Sequence, residues 1–157
     1  MKRYILLLIF FFSVLLGFSQ KTQRQQMRDA EKIAVNWLNK LNNKQYADCW
    51  DMFSAAAQEL TNYKEWHAYF STELMPELGD FISRKYYLSE IEMEKEIEGL
   101  PKGIYVTVRY QSQYTNTNTV EEILLLSQNE IGTWKILSYL TEYELKDVSG
   151  DVPKSRL

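Results

Sequence analysis

The stretch PKGIYVTVRYQSQYTNTNTVEEILLLSQNEIGTWKILSYLTEY, residues 101–143, decides the fold of this chain. It contains three runs suited to β-strands, at residues 104–114, 120–128 and 133–140, which two short turn-forming segments separate. Short turns allow consecutive runs to pair as antiparallel neighbours. Apolar and polar side chains alternate along the first run, whereas residues 123–126 are apolar on both faces. The stretch therefore predicts an antiparallel meander with one face against a core.

The same alternation predicts which side chains lie on each face of the sheet. The inner face is predicted to contain Val106, Val108, Tyr110, Trp134 and Ile136. In the last run, Leu140 is expected to share this inner face, while Lys135, Leu137 and Tyr139 point outward. We therefore expect an outer face that is polar around Arg109 and Gln111 and apolar around Leu137 and Tyr139.

The chain before this stretch predicts three helices. Apolar side chains recur at helical spacing, and the helices are expected at residues 21–41, 45–53 and 63–75. Ser54 and the alanines after it continue the second helix loosely. Asn62 and Glu65 have the spacing of a capping box at the start of the third helix, and Pro76 is expected to end it.

Residues 81–98 predict one long strand with a kink. Apolar side chains occupy even positions up to Leu88 and odd positions from Ile91, and a bulge near Ser89 and Glu90 accounts for the change. A helix is the rival interpretation, but side chains two residues apart do not share a helix face. The outward glutamates are about 6–7 Å apart along a strand, too far to share one small cation. We interpret them as a solvated, charged edge and expect no metal site.

The first 19 residues predict a cleavable export signal. Lys2 and Arg3 precede an apolar run of about a dozen residues, and the small residues Gly17 and Ser19 follow it. Spanning a bilayer needs ~20 apolar residues, so cleavage after Ser19 is expected and no membrane span then remains. The prediction is a periplasmic or secreted protein with one domain at residues 20–145 and a disordered tail at residues 146–157.

Composition argues against several classes of function. Two of the 18 basic residues lie in the predicted signal, so its removal changes the net charge from −3 to −5, which argues against nucleic-acid binding. Cys49 is the only cysteine and His67 the only histidine, which falls short of a zinc ligand set. Cys49 is expected to be a small buried hydrophobe and His67 a boundary residue. No dinucleotide or hydrolase motif occurs, and we expect no cofactor.

Several short motifs in the chain resemble a known family. They are AVNWL (residues 34–38), YADCW (46–50), the predicted helix around Trp66, LGDFISR (78–84), YVTVRY (105–110), EEILL (121–125) and GTWKI (132–136). On these motifs the chain resembles the nuclear transport factor 2-like, or cystatin-like, superfamily. More closely, it resembles the secreted bacterial family catalogued as domain of unknown function 4019. The resemblance implies an α+β fold with three N-terminal helices packed on a curved four-stranded antiparallel sheet, shaped like a cone.

The resemblance implies a pocket but no catalytic set, because that family has no established activity. Ketosteroid-isomerase-like members of the superfamily use the open end of the cone, where a carboxylate acts as the base. By this resemblance, the ligand-binding residues would be Arg84, Tyr86, Tyr110, Tyr69 and Asp80. The alternative role for Arg84 is an ion pair with a carboxylate on a helix.

The sequence favours an exported, non-enzymatic module that binds a small apolar or anionic ligand, or a protein partner, in this pocket. One alternative is an oligomeric interaction or assembly subunit, and another is a small isomerase or dehydratase of the ketosteroid-isomerase-like type. A homodimer through the outer sheet face would use Tyr105, Leu137 and Tyr139. Arg109 and Lys135 favour water at that face, so the sequence leaves dimerisation open.

Overall fold

The computed structural model describes residues 22–146, apart from the side chains of residues 86–91. The predicted signal at residues 1–19 and all but one residue of the predicted tail lie outside the described residues. That one residue, Lys146, is held in place. Its backbone N–H donates to the carbonyl of Asn116 at 2.9 Å, and its ammonium group donates to the carbonyl of Thr115 at 2.9 Å.

The first helix, α1, spans Gln23–Asn42 and is amphipathic as predicted. Its inward face is completely buried at five positions, Ala30, Ala34, Trp37, Leu38 and Leu41. The hydroxyl of Thr22 accepts a hydrogen bond from the backbone N–H of Gln25 at 3.3 Å and caps the start of the helix. Lys44, two residues after the end, has a φ of 58° and reverses the chain direction.

The second predicted helix is shorter than expected and is followed by a separate helix, whereas the third continues from Tyr63 to Leu78 and includes a π-helical segment. The helical segments after α1 are α2 (Tyr46–Asp51), α3 (Ala55–Leu60), α4 (Tyr63–Ala68), a π-helical segment (Tyr69–Leu74) and α5 (Met75–Leu78). Ser54 starts α3 as a separate helix, because its hydroxyl accepts a hydrogen bond from the N–H of Ala57 at 3.1 Å. The expected count of three helices is therefore not confirmed.

The boundaries around α4 and α5 match the prediction at one end only. The side chain of Asn62 accepts a hydrogen bond from the N–H of Glu65 at 3.0 Å, as expected for a cap. The expectation that Pro76 ends the helix is wrong, since it lies in the first turn of α5, where a missing N–H is tolerated. The helix ends at Gly79, which has a φ of 83°.

The sheet has four antiparallel strands in the order of the chain: β1 (Phe81–Glu94), β2 (Tyr105–Tyr114), β3 (Thr117–Gln128) and β4 (Trp134–Leu145). The predicted α+β class with an antiparallel meander is confirmed. The kink in β1 is also confirmed, because its pairing with β2 shifts register between Tyr86 and Ile91. The strand ends at Glu94, four residues before the predicted end.

The helices pack on one face of this sheet, and the five residues predicted for its inner face are all buried. Aromatic rings fill the space between helices and sheet. The ring of Trp37 lies 5.7 Å from that of Phe53, 6.3 Å from that of Phe70 and 4.9 Å from that of Tyr139. No helix among residues 22–146 is long and apolar enough to span a membrane.

The predicted faces of β4 are wrong after Ile136. Leu126 pairs with Ile136 and Leu125 pairs with Ser138, so Leu137 is an extra residue in β4, a bulge. Beyond the bulge the alternation reverses, Tyr139 points inward, and Leu140 is 60% exposed. Tyr105 is also buried, and its hydroxyl donates to the carbonyl of Pro101. Neither tyrosine is available on the outer face.

Candidate functional site

One glutamate lies fully inside the protein. Glu122 lies on β3, and its side chain is completely buried. It occupies the inward positions of the strand together with Val120, Leu124 and Leu126, which are also completely buried. A carboxylate in such an apolar setting needs hydrogen bonds and an opposite charge to offset the loss of its hydration.

The carboxylate of Glu122 has four side-chain donors. One oxygen, Oε2, accepts hydrogen bonds from the guanidinium Nε of Arg84 at 2.7 Å and from the hydroxyl of Ser112. The other oxygen, Oε1, accepts hydrogen bonds from the hydroxyl of Tyr114 at 3.0 Å and from the hydroxyl of Tyr139 at 2.9 Å. The donors come from β1, β2 and β4, so the other three strands all converge on the charge that β3 carries.

The guanidinium of Arg84 is held between two aromatic rings as well as against the carboxylate. Its Cζ lies 4.9 Å from the ring centre of Phe81 and 5.7 Å from that of Tyr110. Only 9% of the side chain is exposed. Burial acts to lower the pKa of Arg84, but the charge and hydrogen bond of Glu122 outweigh it and raise that pKa. Arg84 therefore remains a cation in this site.

Burial and the nearby negative charge keep both tyrosines neutral. Burial raises the pKa of Tyr114, and the negative charge of Glu122 raises it further. The same two causes, in the same order, raise the pKa of Tyr139 well above its ordinary value. A neutral phenol can donate its proton to the carboxylate, whereas a phenolate could not. The tyrosines therefore act as hydrogen-bond donors.

Asn42, the last residue of α1, extends this network toward the surface. The hydroxyl of Tyr114 lies within hydrogen-bond distance of two acceptors, the carboxylate of Glu122 at 3.0 Å and the amide oxygen of Asn42 at 3.1 Å. The amide nitrogen of Asn42 is buried and has no hydrogen-bond partner within residues 22–146.

A cavity of about 540 Å³ lies on the other side of Asn42. It lies between the helices and one end of the sheet, where α1 and α5 end, β1 begins and the β2–β3 turn passes. Asn42 and Phe81 line it, so the same two residues contact the buried network and the cavity. Lys44, Tyr46, Asp80 and Asn116 also line it. Its wall therefore combines amides, both signs of charge and two aromatic rings.

The structure brings together some of the predicted ligand-binding residues. Arg84 and Tyr110 are adjacent within the buried network, and Asp80 lines the cavity. Tyr69 is 48% exposed and does not line this cavity. The side chain of Tyr86 lies outside the described residues. Arg84 pairs with a carboxylate, as its alternative role required, but that carboxylate is on a strand.

Five residues of the network were not predicted from the sequence: Asn42, Ser112, Tyr114, Glu122 and Tyr139. A signal for Glu122 exists, since it shares the even numbering of the inward residues of β3 and interrupts an otherwise apolar face. Its partner Arg84 is 38 residues away in sequence, so the pairing needs the sheet register. Tyr139 points inward because of the bulge at Leu137.

Cys49 and His67 behave as expected of structural residues. Cys49 is completely buried, and its Sγ donates to the carbonyl of Trp37 at 3.6 Å. Burial raises the pKa of this thiol from 9.0 to about 12. The ring of His67 is partly buried and lies 5.0 Å from that of Tyr46. Within residues 22–146, no group of three or more His, Cys, Asp or Glu side chains is placed to hold a metal ion.

Comparisons with known proteins point to one family. The sequence model of the family described as "Protein of unknown function (DUF4019)" matches residues 33–139. Searches of curated proteins and of solved structures give no match. The matched region contains the four residues Arg84, Ser112, Tyr114 and Glu122, and it ends at Tyr139. The match covers more than half of the chain, and the protein therefore belongs to this family of unknown function.

Proposed function

We propose that this protein is an exported, non-enzymatic binding module whose ligand site is the cavity beside Asn42. The observation that carries the proposal is the cavity itself, whose wall combines the amides of Asn42 and Asn116, the charges of Lys44 and Asp80 and the rings of Tyr46 and Phe81. Ligand sites also occur most often in concave regions of ~300–1,000 Å³.

The buried network supports a binding role over a catalytic one. A general base must reach the proton that it removes, directly or through one water. The carboxylate of Glu122 is completely buried, and four donors already occupy it. An isomerase or dehydratase mechanism would require this cluster to open. Its present arrangement instead fixes the position of Asn42 in the cavity wall.

Export and superfamily membership belong to the same proposal. A basic start, a short apolar run and small residues before position 20 support secretion into the periplasm or beyond. Helices that precede a four-stranded antiparallel sheet, and a long kinked first strand, support membership of the nuclear transport factor 2-like superfamily.

Native mass spectrometry of the protein as purified from its source tests the proposal, because it detects a retained ligand directly. Ser71 lines the cavity, and Thr72 beside it is exposed outside the cavity. Both hydroxyls donate to the carbonyl four residues earlier, at 2.6 and 2.7 Å. Ser71→Tyr should fill the cavity and remove the ligand, whereas Thr72→Tyr should retain it.

The result that would contradict a cavity site is equal ligand binding by the two variants. A ligand screen by thermal shift provides the same comparison if nothing is retained during purification. A response to any compound that Ser71→Tyr abolishes and Thr72→Tyr keeps would support the proposal. If every compound that binds does so equally in both variants, the cavity is not the site.

A second candidate function is assembly through the outer face of the sheet. Ile123 pairs with Leu140 across β3 and β4, and Leu140 is 60% exposed. Tyr105 is buried and Tyr139 points inward to Glu122, which removes two of the three residues on which the sequence-based dimer surface relied. Analytical ultracentrifugation tests assembly. A dimer that Leu140→Lys dissociates would favour it, and a monomer at high concentration would end it.

A further inference from the structure

Two opposite charges line the cavity without being paired. Lys44 follows the end of α1, and Asp80 directly precedes β1. Neither side chain has an ion-pair partner within 4.0 Å in the part of the chain that the structure describes, so they are not paired with each other. A wall with separated positive and negative charges is complementary to a ligand that carries both signs.

The positions of the two charges give this complementarity a direction. The carboxylate of Asp80 is an acceptor that selects N–H or O–H donors of a ligand, and the ammonium group of Lys44 selects an anionic group. The rings of Tyr46 and Phe81 belong to the same wall and are suited to contact a cation. These four residues together favour an ammonium group near Asp80 and a carboxylate near Lys44.

We propose that the cavity binds a small zwitterion of the amino-acid class. The ammonium group of the ligand lies toward Asp80, and its carboxylate lies toward Lys44. This inference rests on the proposed function, because it requires the cavity to be the ligand site. It replaces the apolar or anionic ligand expected from the sequence with one that carries both charges.

Titration calorimetry with related compounds tests the charge requirement. A thermal-shift survey of the standard amino acids selects the best binder. That amino acid is then compared with the amine that lacks its carboxylate and with the acid that lacks its amino group. We expect the intact amino acid to bind at least about tenfold more tightly than either analogue, since each analogue loses one of the two charge contacts.

Two variants assign each charge to its residue. Asp80→Asn should lower the affinity for the amino acid about tenfold and leave the affinity for the deaminated acid unchanged, because only the ammonium contact is lost. Lys44→Gln should lower the affinity for the amino acid by a similar factor and leave the affinity for the amine unchanged. Lys85→Gln is the control, because Lys85 is an exposed lysine of β1 that does not line the cavity. Unchanged affinity in both Asp80→Asn and Lys44→Gln would overturn the inference.

The outcomes also separate this inference from the proposed function. If maltose or a dicarboxylate such as succinate binds more tightly than any amino acid, and Ser71→Tyr abolishes that binding, the cavity is the site but its ligand is not a zwitterion. If no compound in any of these classes responds to Ser71→Tyr, the proposed function fails and this inference fails with it.

Discussion

Glu122 shows how one buried charge can organise its surroundings. Its carboxylate accepts hydrogen bonds from four side chains, and its charge is matched by that of Arg84 at 2.7 Å. A buried ion pair adds little net stability compared with a well-packed apolar substitute. Removing one partner is different, because the remaining charge then stays buried without compensation.

Glu122→Gln should therefore destabilise the protein strongly. The amide would leave Arg84 buried and unpaired, for which we expect a loss of about 3–5 kcal/mol in the free energy of unfolding. Glu92→Gln is the matched control, since Glu92 also pairs with an arginine, Arg109 at 3.3 Å, but is 62% exposed. We expect the control to lose less than about 1 kcal/mol. Urea denaturation measures both, and similar losses would contradict this account.

At the scale of elements, the turn between α5 and β1 depends on Gly79. Its φ of 83° and ψ of −159° are a combination that essentially only glycine adopts, and a Cβ at this position would be 2.1 Å from the Oγ1 of Thr115. That hydroxyl accepts a hydrogen bond from the backbone N–H of Asp80 at 2.9 Å, so moving it away would break this hydrogen bond. The close approach of this turn to the β2–β3 turn therefore requires a residue without a side chain.

Gly79→Ala should be more destabilising than Gly99→Ala. Gly99 has nearly the same φ, 82°, but nothing lies within 4 Å of a Cβ built there. Both variants place a side chain at a positive φ, which strains the backbone by roughly 1–3 kcal/mol. Gly79→Ala adds a steric clash, which we expect to cost about 1–3 kcal/mol more. Equal midpoints in urea would show that the turn adapts to a side chain.

Elements differ in how far the sequence alone predicts them. The alternation in β2 is clear from Val106 to Tyr110, where the apolar side chains face inward, and these inner residues are predicted correctly. In β4, Leu137 is apolar and fits either face, so no local pattern indicates that it is the bulge. The kink in β1 can be predicted, since its apolar residues change from even to odd positions. The separate start of α3 depends on one hydroxyl, that of Ser54.

The candidate site is less predictable than the fold, for a physical reason. The contact between Arg84 and Glu122 depends on the registers of two strand pairs, β1 with β2 and β2 with β3. The contact between Tyr139 and Glu122 depends on the register of β3 with β4 and on the bulge in β4. The cavity depends on turns that meet from distant parts of the chain, as in the hydrogen bond between Asp80 and Thr115. Periodicity identifies which face a residue occupies, but it does not identify neighbours across strands.

For the whole molecule, the tyrosine pKa values predict a loss of stability in alkaline solution. The folded protein raises the pKa of Tyr114 and Tyr139 above the ordinary 10.0, so it holds these protons more tightly than the unfolded chain does. Their contribution is complete below about pH 10 and decreases above it, by up to about 1.4 kcal/mol per pH unit for each tyrosine. Cys49 adds to this decline between pH 9.0 and about 12.

Tyr114→Phe isolates one part of this alkaline decline. The variant should be less stable at neutral pH by about 1.5–3 kcal/mol, because it loses a hydrogen bond to a charged group. It should also lose stability less steeply above pH 10, since one titrating group is gone. Tyr63→Phe, at an exposed tyrosine, is the control. Urea midpoints measured from pH 8 to pH 11 that decline in parallel for Tyr114→Phe and the unmodified protein would contradict this assignment.

The convergence of all four strands on one carboxylate also affects which misfolded arrangements are accessible. A slip of one residue in the pairing of any strand turns its inward side chains to the opposite face. Arg84, Ser112, Tyr114 or Tyr139 would then point away, and Glu122 would be enclosed with a donor missing. Apolar side chains alone distinguish strand registers weakly where a strand is apolar on both faces, as at residues 123–126. The charge at Glu122 therefore disfavours misaligned strand pairings during sheet assembly, since burying it requires the alignment that supplies all of its donors.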